Sequence, residues 1–82
     1  MESTASQLWL IQKLLSMLHE DRKSTAELRR IFPTKESASK AIAKLKEIQG
    51  READRINALP VGLRLSARSQ MSAEDRKEVF NK

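Results

Sequence analysis

The sequence predicts a single, mainly α-helical domain with one β-hairpin, and three observations support this fold class. Apolar residues recur at steps of three and four in three segments of the first half, which is the period of amphipathic helices. Between Arg55 and Arg68, apolar and polar residues instead alternate, which is the period of strands. The length of 82 residues suits one domain. We therefore expect a core over residues 4–69, followed by residues 70–82 as a short helix or a tail.

The first predicted helix begins after Thr4, whose side chain fits a capping box with Gln7, and runs to about His19. One apolar face consists of Leu8, Ile11, Leu15 and Leu18. A second apolar stripe beside it consists of Leu10, Leu14 and Met17. Because a small domain has difficulty burying so much of one helix, we predict a homodimer held by the second stripe together with Phe80. The alternative is that the hairpin and the tail cover this stripe within one chain.

Two further helices are predicted after a charged turn. Ser24 and Glu27 fit a second capping box, and the helix that they open must stop at Pro33, which lacks an amide N–H. Thr34 is placed to cap the third helix, and Gly50, suited to a left-handed C-terminal position, is predicted to end it. The inward face of this third helix consists of Ala38, Ala41, Ile42, Leu45 and Ile48.

The outward face of the third helix has short or charged side chains near its start. It consists of Lys35, Glu36, Ser39, Lys40, Ala43 and Glu47, with Lys44 and Lys46 at its margins. A helix that enters the major groove of DNA needs such a surface, since polar side chains must reach phosphates and base edges. A solvated helix that binds nothing has the same composition, so this face leaves both interpretations open.

The alternating segment predicts a β-hairpin. Pro60 fits the second position of a type I turn, and Gly62 fits the left-handed residue after it. The inward side chains of the two strands are Ile56, Ala58, Leu63, Leu65 and Ala67. The outward side chains include three arginines, Arg55, Arg64 and Arg68.

Positive charge is concentrated in the middle of the chain. The whole sequence has a formal net charge of +5, whereas residues 22–68 contain twelve lysines and arginines against five acidic residues, a net charge of +7. A concentrated positive field attracts polyanions, of which nucleic acids are the commonest for a small cytoplasmic protein.

Few residues suit catalysis, metal binding or a membrane. The only histidine, His19, is predicted to cap the first helix, and without cysteines or a glycine-rich loop we expect no enzyme activity, metal or cofactor. The longest apolar run, Leu8 to Ile11, is too short to cross a bilayer, so we expect a cytoplasmic protein without a membrane partner. We expect all three aromatic residues, Trp9, Phe32 and Phe80, to be buried, which disfavours stacking on single-stranded bases.

The order of helix, short helix, turn, lysine-bearing helix and arginine-bearing hairpin resembles the winged helix-turn-helix superfamily. The stretches TAEL and TKESASKAIAKL are similar to the typical helix-turn-helix sequences of this superfamily, and the resemblance covers roughly residues 8–68. It implies a three-helix core plus a wing, with the third helix in the major groove. The implied DNA-binding residues of that helix are Lys35, Glu36, Ser37, Ser39, Lys40 and Lys44. The implied contacts of the wing are Arg55, Arg64 and Arg68.

Two functions of different class follow from these observations. The first is a small sequence-specific protein that binds double-stranded DNA, either a repressor-like transcriptional regulator or an architectural factor of a mobile element. The second is a winged-helix module that binds a protein partner, as an inhibitor or an assembly adaptor, without binding DNA. The fold alone does not choose between them, because one fold serves many functions.

Overall fold

The computed structural model describes residues 1–80, and this part of the chain contains five helices and no strand. The helices are α1 (Ala5–Met17), α2 (Thr25–Ile31), α3 (Lys35–Asn57), α4 (Val61–Arg64) and α5 (Ala73–Phe80). The predicted β-hairpin is absent from residues 1–80, so the prediction of a winged helix-turn-helix fold is wrong. The chain is a small helical protein.

The predicted starts of the first three helices are confirmed. The Thr4 hydroxyl accepts a hydrogen bond from the Gln7 amide, and the Gln7 side chain accepts one from the Thr4 amide, which completes the capping box. Ser24 caps α2 through the Glu27 amide, and Thr34 caps α3. Each cap satisfies a backbone donor that the helix itself leaves without a partner, so these boundaries depend on residues only three positions apart.

Helices α1 and α3 lie side by side and run in the same direction. Near their starts, the side-chain nitrogen Nε2 of Gln7 donates to the Lys35 carbonyl oxygen and to the Ser39 hydroxyl, at 3.2 Å each. Past the end of α1, His19 contacts the Ser69 carbonyl oxygen, which lies next to the loop held by Glu52 of α3. The buried core between and around the helices consists of Leu8, Ile11, Leu14, Leu15, Leu18, Leu28, Phe32, Ala38, Ala41, Leu45, Ile48, Met71 and Val79.

Helix α5 packs antiparallel against α3 and closes the core. Its first turn places Asp75 on Arg51, and its last turn places Glu78 on Lys44, about two turns earlier in α3. Phe80 then packs against Phe32, with 6.0 Å between ring centroids. The C-terminal segment is therefore helical as far as Phe80, and residues 81 and 82 lie outside the described part.

Helix α3 continues through Gly50, where the sequence predicted its end. Gly50 does not have a positive φ, and a β-carbon built there would meet no atom within 4 Å. The inward positions continue at steps of four from Ile48 to Glu52 and Ile56, and Glu52 is buried. The Glu52 carboxylate accepts hydrogen bonds from Arg55 and from the backbone amide of Gln70, so a buried charge replaces the expected apolar residue.

The residues predicted to form the hairpin instead form the end of α3, a turn and the short helix α4. None of residues 56–67 is buried, and the predicted inward residues Leu63 and Leu65 are 55% and 92% exposed. The Arg64 guanidinium donates to the carbonyl oxygens of Asn57 and Leu59 and so binds the backbone acceptors left free at the end of α3. We call residues 56–67 the tip, because α3 alone is roughly 34 Å long and places them at one end of a body 46 Å in length.

We expect Gly50→Ala to stabilise the protein by about 0.5–1 kcal/mol, because glycine in an exposed helix interior costs that much relative to alanine. The measurement is the free energy of unfolding from urea titrations followed by circular dichroism. The matched control is Ala43→Gly, an exposed position two turns earlier in α3, which should destabilise by a similar amount. A destabilising Gly50→Ala would contradict a continuous α3, since alanine is strained at a left-handed helix end.

We expect the stability of the protein to fall at acidic pH through Glu52 and Asp75. Hydrogen bonds from Arg55 hold the pKa of Glu52 below its usual range, and those from Arg51 do the same for the pKa of Asp75. Because both pKa values are lower in the folded chain, their stabilisation is complete above the unfolded pKa of about 4 and is lost as the pH falls through the folded values.

The check on this pH dependence is the urea midpoint measured between pH 7 and pH 2. The Glu52→Gln variant should be less stable at pH 7 and should lose less stability on acidification than the parent. Parallel pH curves for the two proteins would show that Glu52 is not held in its ionised form by the fold.

Candidate nucleic-acid interface

The unit formed by α2, the connection 32–34 and the first half of α3 is held in place by the N-terminal segment. The Ser3 amide donates to the Pro33 carbonyl oxygen at 3.1 Å, and the Lys35 amide donates to the Met1 carbonyl oxygen at 3.0 Å. Glu2 and Thr34 form an isolated antiparallel bridge between these segments. The start of α3 is therefore fixed by backbone hydrogen bonds on one side and by Gln7 of α1 on the other.

The residues predicted to read bases divide into two groups. Lys35, Glu36 and Lys40 are exposed on the first turns of α3, where they are available to a ligand. The Ser37 hydroxyl accepts from the Thr34 amide as part of the α3 cap, and the Ser39 hydroxyl accepts from Gln7. These two serines therefore contribute to the local structure, and of the six residues implied for this helix only Lys35, Glu36 and Lys40 have side chains that are neither hydrogen-bonded nor ion-paired within residues 1–80.

Lys44 is occupied within the chain. Its ammonium group contacts the Glu78 carboxylate of α5 and, at 3.8 Å, that of Glu47. The hydrogen bond with Glu78 raises the pKa of Lys44 above its usual value. A phosphate group that bound Lys44 would have to displace these carboxylates.

The three arginines predicted to contact DNA through a wing do not form one outward surface. Arg55 donates to the Glu52 carboxylate and to the Arg68 carbonyl oxygen, so it joins the end of α3 to the returning loop. Arg64 binds backbone carbonyl oxygens at the end of α3, as described above. Arg68 is exposed and has no carboxylate within 4 Å among residues 1–80. Without the hairpin, these positions no longer match the wing of the resemblance.

Cations without an ion-pair partner and cations with one lie in different regions of the chain. Residues 22–46, which contain α2 and the first half of α3, have eight lysines and arginines and two glutamates, a formal net charge of +6. Only Lys44 of these eight forms an ion pair within the described part of the chain. The other ion-paired cations are Arg51, Arg55 and Arg76, which all lie later in the chain. The seven remaining cations are Arg22, Lys23, Arg29, Arg30, Lys35, Lys40 and Lys46.

Sequence reasoning assigned no role to the two arginines of α2. Arg29 and Arg30 stand in the last turn of α2, and both are exposed. Their signal in the sequence was the pair of adjacent basic residues just before the turn that leads into α3. Acidic residues also lie on the exposed side of α3, so the cations of α2 are needed for the unit to be strongly basic. These acidic residues are Glu36, Glu47 and Asp54.

The expectation that all aromatic residues are buried is wrong for Trp9. This side chain is 64% exposed, whereas Phe32 is buried and Phe80 is half-buried against it. The Lys13 ammonium lies over the indole ring, 5.1 Å from its centroid. The first helix therefore presents an aromatic surface beside positive charge.

The side chains predicted to hold a dimer are partly covered within one chain. Leu14 is 5% exposed and belongs to the core, and Leu10 and Phe80 are half-buried against it. Met17 is 43% exposed. The free apolar surface of α1 thus consists of Trp9, Met17 and the uncovered part of Leu10.

Comparison of the chain with protein-family models, with curated proteins and with solved structures finds no match in any of the three. No helix among residues 1–80 is both long and apolar enough to cross a membrane. No group of three or more potential metal-ligating side chains comes together in that same part of the chain.

Proposed function

We propose that this protein binds duplex DNA through α2 and the first half of α3, and that it acts as a small sequence-specific regulator. The observation that supports this most directly is the set of seven cations in residues 22–46 without a carboxylate partner among the described residues. Cations that a fold leaves unpaired on one exposed unit attract a polyanion, because phosphates replace the missing counter-charges. The role requires no catalytic activity and no cofactor, and it fits a cytoplasmic location.

Two kinds of contact are expected in this interface. Lys35, Glu36 and Lys40 lie on the first turns of α3, where lysines donate to guanine and a glutamate accepts from the amino group of cytosine. Arg29 and Arg30 of α2 are suited to phosphates, which position the protein without reading sequence. The connection between α2 and α3 has three residues, which is the turn length of two helices joined in a helix-turn-helix arrangement.

A protein that consists of such a unit, without a ligand-sensing module, would act by occupying its site. This mode of action fits a repressor, and it equally fits an architectural factor of a mobile element. Two copies would strengthen the binding, because a two-fold dimer presents two α3 helices to successive major grooves. The DNA site would then be a pseudo-palindrome with half-sites roughly 34 Å apart or a multiple of this distance.

A second candidate function, a protein-interaction module without DNA binding, is favoured by the tip. Val61, Leu63 and Leu65 expose more than half of their surface there, and no acidic residue occurs between Asp54 and Glu74. Such a surface suits a partner with apolar and acidic side chains. Salt separates the two functions: duplex affinity that falls steeply with ionic strength supports the first, and undetectable duplex binding beside tight binding of an acidic protein supports the second.

We expect Lys40→Gln and Arg30→Gln to weaken duplex binding in different ways. If Lys40 reads a base, its loss changes the preferred sequence at a cost of about 1–3 kcal/mol. If Arg30 binds a phosphate, its loss weakens selected and random duplexes alike and lowers the slope of log affinity against log salt by about 0.9. The measurement is fluorescence anisotropy with duplexes selected from a random pool.

The control for these variants is Arg68→Gln, which removes an exposed, unpaired arginine near the opposite end of α3 and should bind like the parent. Binding of the selected duplex by Lys40→Gln and Arg30→Gln at parental affinity would contradict the proposed interface and favour the protein-interaction module.

We expect the protein to sediment as a dimer at micromolar concentration and Met17→Glu to sediment as a monomer. The physical reason is that a charge introduced into an apolar contact must be desolvated. Met17 tests this contact better than Leu14, because a charge at Leu14 would enter the core of the single chain. The control is Leu65→Glu, an exposed apolar residue of the tip, which should leave the dimer intact. A parent protein that sediments as a monomer would contradict the dimer and its palindromic site.

A further inference from the structure

The exposed tryptophan borders a cleft between α1 and the start of α2. The cleft has a volume of about 440 Å³, and its apolar wall includes Leu8, Trp9 and Leu28. Arg22 and Lys23, from the loop that precedes α2, line the same cleft. A volume of this size is typical of pockets for small organic ligands, which lie in the range of about 300–1,000 Å³.

The loop that carries the two cations is fixed to α1. The Lys23 amide donates to the Gln12 side-chain oxygen at 3.3 Å, which keeps this part of the loop beside α1. Arg22 is exposed and has no carboxylate within 4 Å among residues 1–80, and the lining of the cleft contains no acidic side chain. The Lys23 ammonium lies 5.5 Å from the Phe80 ring centroid, so of these two cations only Arg22 has neither a carboxylate nor an aromatic ring as partner among residues 1–80.

We propose that this cleft binds a nucleotide unit whose base is not stacked in a duplex, with the base on Trp9 and the phosphate on Arg22. An aromatic side chain beside cations is the arrangement on which single-stranded nucleic acids bind, because the base stacks and the phosphate pairs with positive charge. Lys13, which lies over the indole but does not line the cleft, adds positive charge beside the ring.

Two features of the cleft favour a nucleotide over other ligands. An apolar ligand would leave the charge of Arg22 without a counter-ion, and a duplex keeps its bases stacked away from Trp9. A nucleotide satisfies both the ring and the cation. The ligand can be a free mononucleotide or one unit of a single strand, and these two sources share the same chemistry at the cleft.

The base contact of this site is separate from the proposed duplex interface, because it uses Trp9 of α1 instead of Lys35, Glu36 and Lys40 of α3. Arg22 is also one of the seven unpaired cations of residues 22–46, so only the base contacts differ. Duplex binding and single-strand binding can therefore fail independently. If the protein does not bind duplex DNA, its binding of a single strand can still be tested, and the reverse also holds.

The test uses the intrinsic fluorescence of Trp9, which is the only tryptophan in the chain. The probes are adenosine monophosphate, a single-stranded octadeoxyadenylate and a duplex of the same length. We expect the single strand to quench the fluorescence with saturation, and a similar effect of the mononucleotide would identify the free nucleotide as sufficient. Unchanged Trp9 fluorescence at saturating concentrations of both probes would overturn the proposal.

Variants then test the contacts of Trp9 and Arg22 separately. The measurement is the fluorescence anisotropy of a labelled octadeoxyadenylate, titrated with each variant. We expect Trp9→Leu to weaken single-strand binding about 5- to 150-fold, the range seen when one stacking aromatic is removed, and Trp9→Phe to retain most of the affinity. Arg22→Gln should weaken binding and lower its salt dependence, whereas Arg68→Gln should bind like the parent. Circular dichroism confirms that each variant is folded.

A Trp9→Leu variant that binds the single strand with parental affinity would overturn the proposal. If this variant then differed from the parent only in its sedimentation, Trp9 would be assigned to a contact between subunits. Loss of duplex binding by Lys40→Gln with unchanged single-strand binding would show that the two sites are independent. Equal loss of single-strand binding in Lys40→Gln and Arg22→Gln would show general attraction to positive charge and would also overturn a site at Trp9.

Discussion

The continuity of α3 across Gly50 is the constraint on which the rest of the structure depends. Because the helix continues to Asn57, the residues that would begin a strand are instead in its last two turns. The free energy cost of a glycine inside a helix is about 1 kcal/mol, and packing of Ile48 together with the hydrogen bonds of Glu52 is sufficient to offset it. The continued α3 also places Arg51 where the Asp75 carboxylate of α5 binds it, so the attachment of α5 and the open tip both involve the turns after Gly50.

The packing of α5 decides which cations are available. Its carboxylates at Asp75 and Glu78 bind Arg51 and Lys44, and the Arg51–Asp75 pair is reinforced by Ser72, which donates its amide to the same carboxylate. The cations Lys44 and Arg51 are thereby neutralised within the chain. Those of α2 and of the first turns of α3 are not, which explains how a protein with a net charge of only +5 presents a strongly basic unit.

Local features were predictable from the sequence, and features that depend on distant residues were not. The caps at Thr4, Ser24 and Thr34 were predicted because each depends on a partner three residues away. The end of α3 was predicted wrongly because Gly50 suits a left-handed helix end, and the charged Glu52 beyond it does not continue the apolar pattern. Its partner amide belongs to Gln70, which no local pattern connects to it.

The same distinction applies to the candidate site. Lys35 and Lys40 were identified correctly as exposed, since helical periodicity places them away from the core. The roles of Arg64 and Lys44 could not be predicted, because each depends on where another segment returns. For Arg64 the acceptors are carbonyl oxygens of Asn57 and Leu59, which are free only because the helix ends there.

Trp9 shows why an aromatic residue on an apolar helix cannot be assigned to the core by pattern alone. The inward positions of α1 are already filled by leucine and isoleucine, and Leu10 and Leu14 of its second stripe pack within the same chain. Trp9 points in a third direction, where the neighbouring elements are the start of α2 and its basic loop. A large aromatic surface that remains in water beside Arg22 and Lys13 lacks a packing role in the monomer. Its chemistry fits binding of a planar anionic group.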